Sequence, residues 1–162
     1  MKVLVAYYSR TGTTKKIAEE ISRLLRCDLE SIIDRKNRAG IIGYLSAGRD
    51  ASTKKLTQID QAKFDAANYD LVIVGTPVWA STLSAPVRTY LTQHRERFNR
   101  MAFFCTCDGG KGTAFEEMEI AAGKKPLAVL ELTKREISND QHLQKTKDFA
   151  GSLSGLMEGQ RS

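Results

Sequence analysis

Residues 2–14 read KVLVAYYSRTGTT, and the order of events in those thirteen positions decides the fold. Residues 2–8 form an almost continuous apolar run with two aromatics, the composition of a strand buried on both faces, as in a parallel sheet. Residues 9–14 then bring four hydroxyls around one glycine. Ile17, Ala18, Ile21, Leu24 and Leu25 recur at helical spacing, so a helix starts at about Thr13. A buried strand, a short hydroxyl-rich turn and an amphipathic helix make one unit of a doubly wound α/β domain.

Working outward, the unit repeats. Residues 27–33 read as a second, weaker strand, because polar side chains alternate through it. Residues 34–69 are ambiguous, with helical signals at 41–47 and 62–67. Residues 70–75 (DLVIVG) are the strongest central strand. Ser84 can cap a helix with Pro86 in its first turn, and Val87, Tyr90, Leu91 and His94 share one of its faces. Residues 101–106 give the next strand. Thr113 and Glu116 have capping-box spacing for a helix running to about Gly123, and residues 126–132 supply a fifth strand. A last helix carries Leu143, Phe149, Ala150, Leu153, Leu156 and Met157 as its apolar stripe. Five strands, each followed by helical sequence, predict a parallel sheet with helices on both faces, since parallel strands need crossover connections. Without linker, repeat or low-complexity tract, residues 1–162 read as one domain.

Composition narrows the function. The 162 residues are 41% apolar and 27% charged, enough to bury a core, and no apolar run approaches the ~20 residues of a membrane-spanning helix. The amino terminus lacks the apolar region and cleavage site of a signal peptide, so the cytoplasm is expected. Cys27, Cys105 and Cys107 have no zinc-ligand spacing, which predicts reduced thiols and no metal. The net charge of +6 arises entirely within residues 1–55, which hold 12 basic and 6 acidic side chains, against 13 of each in the rest. Most of the excess falls in residues 35–55. A solvated basic face is the expected reading, and the absence of interleaved stacking aromatics argues against nucleic acid.

In such sheets ligands sit beyond the carboxyl ends of the strands, so three loops matter. The first, Ser9, Arg10, Thr11, Gly12, Thr13 and Thr14, combines unpaired N–H groups at a helix start with four hydroxyls, which suits a phosphate. The chemistry of transfer is missing. No Lys follows Gly12 as a Walker loop requires, the three spaced glycines of a dinucleotide turn are absent, and no acidic pocket marks a receiver domain. No Arg stands six residues after Cys105 or Cys107, as a cysteine phosphatase would need. The phosphate is a handle, and no catalytic residue is assigned. The second loop opens with Thr76, Pro77, Val78, Trp79 and Ala80, and holds the one tryptophan of the chain. The third holds Thr106, Cys107, Asp108, Gly109 and Gly110, whose glycines let backbone approach a flat ligand edge.

Ser9, Thr11, Gly12 and Thr14 match the hydroxyl-hydroxyl-Gly-hydroxyl phosphate loop of the flavodoxin family, which this chain resembles, with Thr13 where an asparagine is common. The resemblance spans the whole strand-helix order. It implies a five-stranded parallel sheet in the order 2-1-3-4-5, of the short-chain kind, and noncovalent FMN. It further implies that the first loop holds the FMN phosphate, that Trp79 stacks on the ring and that the third loop meets the ring edge. Two activities fit: two-electron reduction of a quinone-like or other small acceptor by NAD(P)H, or one-electron transfer between redox proteins. A flavin-free regulatory domain with an acidic partner is the third possibility. In flavodoxins proper a peptide beside the ring turns over at a glycine, and carboxylates surround the flavin. Here no glycine lies between Gly75 and Gly109. Trp79, Ala80, Ser81 and Thr82 should resist positive φ by about 1 kcal/mol or more, which with the basic charge favours the two-electron reading. The apolar fragment at 40–45 is open to three roles: covering the flavin edge, packing on the core, or contacting a second copy in a homodimer.

Overall fold

The computed structural model describes residues 1–159, so the expected domain of 1–162 extends three positions outside the described residues. Strand β1 (Val3–Tyr7) is buried at all five positions and lies between β2 (Asp28–Ser31) and β3 (Leu71–Trp79). Beyond β3 come β5 (Met101–Cys107) and β6 (Val129–Thr133), all parallel, giving the order β2-β1-β3-β5-β6. That is the expected order, with one added element. A two-residue strand β4 (Thr82–Leu83) runs antiparallel to the end of β3, pairing Val78 with Leu83 and Trp79 with Thr82.

Helices cover both faces. Side chains alternate along β1 and β3, so Val3, Val5, Leu71 and Ile73 meet α1 (Thr13–Leu25) and α6 (His142–Glu158). Leu4, Ala6, Val72 and Val74 meet the opposite layer of α2 (Gly40–Ser52), α3 (Ala85–Gln93) and α4 (Ala114–Ala122). Helix α1 buries Ile17, Ala18 and Ile21, and each large apolar side chain so buried contributes about 1.5–3 kcal/mol. Among the described residues no helix is long and apolar enough to cross a membrane.

Several expectations need correction. Residues 62–67 are not an α-helix; only a 3-10 turn at Ala66–Asn68 forms. The preceding chain instead lies along the β2 edge, where Asp34 bridges Ile59 and the Lys63 N–H donates to the buried Glu30 carboxylate. The Thr113–Glu116 capping box does not form: Thr113 makes no side-chain cap and Glu116 pairs with Lys111. The box is at Thr133 and Glu136, which begin the short helix α5 (Lys134–Ser138). On α6, Leu143 and Leu156 are exposed, and His142 and Thr146 occupy the buried stripe with Phe149, Ala150, Leu153 and Met157. His142 Nε2 lies 3.4 Å from the Glu20 carboxylate on α1.

The basic segment is not a free positive face. Arg38 is buried between Asp34 and Asp50, Lys36 pairs with Asp50, Arg35 with Asp60 and Lys54 with Glu117. Its apolar stretch begins α2 and leaves Ile41, Ile42, Tyr44 and Leu45 all exposed, with Tyr44 and Leu45 beside the carboxyl ends of the strands.

The steric argument against positive φ fails as well. Ala80 (φ 46°) and Ser81 (φ 61°) both adopt it. A two-residue hairpin turn matching the twist of its strands needs positive φ at both central positions, and the β3–β4 ladder offsets the local cost.

Candidate functional site

The three loops meet around one cavity of about 400 Å³ beyond the carboxyl ends of β1, β3 and β5. At one end stands the amino terminus of α1. Gly12 is its N-cap with φ 98°, a conformation that L side chains rarely adopt. No side chain caps this end and its first turn carries no acidic residue, so the leading N–H groups and the positive end of the helix dipole are uncompensated. Ser9 Oγ accepts the Gly12 N–H at 3.0 Å, which shapes the turn and leaves the Ser9 hydroxyl proton for an incoming acceptor. Thr14 is buried, and its Oγ1 lies 2.7 Å from Thr106 Oγ1. Two hydroxyls sharing one hydrogen bond leave one proton to donate elsewhere. Ser9, Arg10, Thr11, Thr13 and Thr14 all line the cavity.

Of the second loop, Pro77, Val78, Trp79 and Ala80 form the wall. Thr76 stands behind it, fully buried, and its Oγ1 accepts the Ser84 N–H at 3.1 Å. Trp79 is only 8% exposed, meeting Tyr8 edge-on at 5.4 Å with an interplanar angle of 87°, so it belongs to the core and the cavity wall at once. Burial pushes the Tyr8 hydroxyl up to about 12, with the Asp34 charge acting in the same direction.

Of the third loop, Thr106, Cys107 and Asp108 reach the cavity, whereas Gly109 and Gly110 lie outside its wall. The chain there turns onto β6, where the Lys111 N–H donates to Glu131 Oε1 at 3.0 Å. Burial raises the thiol pKa of Cys105 and of Cys107, so both remain protonated at neutral pH and are poor nucleophiles.

The rest of the wall came from elements that no motif marked. Helix α2 contributes Tyr44, Leu45, Gly48, Arg49 and Ser52, and α5 contributes Lys134. The only local signal was the apolar fragment at 40–45 inside a basic segment. Arg10 lies over the Tyr44 ring at 5.4 Å, and Lys134 pairs with Asp108 at 2.8 Å. Arg10, Arg49 and Lys134 therefore outnumber the one wall carboxylate, Asp108, and bias the cavity toward anions.

A parallel sheet of this order, with a hydroxyl-rich turn leading into an uncapped helix after β1 and a cavity beyond the carboxyl ends of its strands, defines a doubly wound protein of the flavodoxin-like class. The flavodoxin family model matches residues 2–141, and the chain belongs to that family. No curated protein matches the sequence. Among solved structures, the chain is similar to a flavoprotein from Lactobacillus acidophilus NCFM in complex with FMN. The two are 26% identical over 85% of this chain and 97% of that one, with a TM-score of 0.72. It also shares its fold with oxidised flavodoxin 2 from Bacillus cereus, at 20% identity over 96% and 99% of the two chains and a TM-score of 0.62.

Proposed function

We propose that this chain is a cytoplasmic FMN-binding oxidoreductase, working as one domain, that takes two electrons from NAD(P)H and passes them to a quinone-like or other small acceptor. One observation carries the reading: a cavity of about 400 Å³ whose wall combines two unlike parts, an uncapped helix amino terminus with its hydroxyls and the aromatic side chains of Trp79 and Tyr44. That asymmetry suits a ligand with a phosphate handle and a flat ring. Family membership supports FMN as that ligand, as does likeness to a flavoprotein solved with it.

When bound, FMN supplies the redox chemistry, accepting and releasing electrons at its ring. The chain's residues hold it. The first N–H groups of α1 and the hydroxyls of Ser9, Thr11, Thr13 and Thr14 receive the phosphate, with Arg10 at the mouth. Trp79 offers its ring to the isoalloxazine and excludes water from one side, while Tyr44 and Leu45 close the cavity from α2.

The two-electron preference draws support from two features. The turn at Ala80 and Ser81 is anchored, because the Ser81 carbonyl accepts the Thr113 N–H at 2.8 Å, so reorienting the turn breaks a bond. The wall is cationic, with Arg10, Arg49 and Lys134 against Asp108, which would attract phosphate-bearing donors. The purified protein, once loaded, should show the blue absorbance of oxidised FMN and bleach in a single isosbestic step on NADPH or NADH, regaining colour when a small quinone is added. A colourless protein that cannot be loaded with FMN rejects the cofactor. A loaded protein reduced only through a protein partner, in two resolved steps, makes it a one-electron carrier.

A further inference from the structure

We propose that Arg38 is a positioning residue that sets the aromatic wall of the cavity, holding the Trp79 ring against helix α2 at the spacing a flat ring system requires. The proposal rests on the FMN reading above. Arg38 is 3% exposed, a burial that arginine tolerates only when paired. Its Nε donates to Asp34, and its Nη1 donates to Asp50 Oδ2 at 3.0 Å, an oxygen that also receives Lys36 Nζ at 2.6 Å. Burial works against the charged Asp50 carboxylate, but Lys36 and Arg38 outweigh it and hold its pKa below the ordinary value. The guanidinium lies over the Trp79 ring, 5.4 Å from its centroid, while Tyr8 meets the same ring edge-on.

The same residue grips the opposite wall. Asp50 belongs to α2, the helix that brings Tyr44, Leu45 and Arg49 to the cavity. The Arg38 backbone packs so closely on α2 that a Cβ on Gly43 would sit 2.1 Å from its carbonyl carbon. One side chain thus lies over the Trp79 ring and binds α2 through Nη1 while its Nε holds Asp34, and only guanidinium combines a flat cationic group with several directed donors.

The network is not arranged for stability alone. Arg38 Nη2 and Asp50 Oδ1 are buried without a hydrogen-bond partner among the described residues. Buried ion networks of this kind are often matched or bettered by apolar packing, so a role in fixing geometry explains what stability does not.

The test couples Arg38→Lys, which keeps the charge but loses the flat face and the fork, with Trp79→Leu. In the apo protein, Arg38→Lys should diminish the near-ultraviolet dichroism of the single indole and leave the far-ultraviolet spectrum unchanged. FMN should bind Arg38→Lys about fivefold to tenfold more weakly than the parent, and in the Trp79→Leu background the same change should cost less than twofold. An unaltered indole signal, or an equal loss of FMN affinity in both backgrounds, overturns the proposal. If Arg38→Lys does not fold, Asp50→Asn removes one of the two carboxylates and is read in the same way. If the parent binds no FMN the cofactor reading falls, and the indole signal of the apo protein still decides the link between Arg38 and Trp79.

Discussion

The carbonyl of Ser81 accepts the Thr113 N–H at 2.8 Å, joining the β3–β4 turn to the start of α4 across the open end of the sheet. The contact exists because residue 112 is glycine: a Cβ there would lie 2.0 Å from the Ser81 oxygen, and its φ of 53° disfavours any side chain. Gly112→Ala should therefore destabilise the fold by about 2 kcal/mol or more and weaken FMN by moving Ala80 in the wall. Gly151→Ala on α6, where among the described residues an added Cβ meets nothing within 4 Å beyond its own helix backbone, is the control and should be neutral or stabilising. Urea unfolding of both variants and an FMN titration check the contrast.

The phosphate end can be separated from the ring end by comparing FMN with riboflavin. Thr14→Ala removes a buried hydroxyl and leaves Thr106 Oγ1 without its partner, so FMN affinity should fall by roughly tenfold to a hundredfold, equivalent to about 1.5–3 kcal/mol. Riboflavin, lacking the phosphate, should hardly change. Gly12→Val should be more severe, because φ 98° is closed to a β-branched residue. Equal losses for both flavins in Thr14→Ala would remove the phosphate from this loop.

Trp79 is the single tryptophan, so its emission reports on one place in the molecule. FMN binding should quench it strongly, and displacement should restore it. Trp79→Ala should raise the FMN dissociation constant about tenfold and also lower stability by about 3–5 kcal/mol, since the side chain fills core as well as cavity wall. Trp79→Phe separates the two effects, because it retains most of the packing. Unchanged emission at saturating FMN would confine Trp79 to a core role.

Part of the fold's stability at neutral pH depends on the ionised Glu136 carboxylate. The Lys145 ammonium and the Thr133 N–H hold its carboxyl down to about 2, below its ordinary value of 4.5. The folded pKa is depressed, so the stabilisation is fully present above about pH 4.5 and is lost as pH falls through the folded value. Glu136→Gln keeps an acceptor for the Thr133 N–H yet cannot ionise. Its deficit relative to the parent, about 1 kcal/mol at pH 7, should shrink steadily between pH 4.5 and 2 in denaturant titrations. A deficit that stays constant over that range would detach the shift from folding.

By itself the sequence determined the alternation of parallel strands and helices, the two-sided helical cover and the turn after β1, because each is written in adjacent residues; the order of the strands in the sheet came only with the family resemblance. A continuous apolar run means a strand buried on both faces, an apolar stripe at helical spacing means a face to cover, and hydroxyls around one glycine before a helix mean exposed N–H groups. Short-range reasoning also located Trp79 at a strand end. It misjudged Ala80 and Ser81, whose positive φ is imposed by the strand pairing of Trp79 with Thr82. Only the tertiary structure decided the far wall of the cavity, where α2 and α5 carry Tyr44, Arg49 and Lys134 to loops distant in sequence. It likewise decided that Arg38 is buried rather than solvated. The carboxylates of Asp34 and Asp50 come together around it only when the chain folds, and the low dielectric there makes that pairing a condition of burying the charge at all.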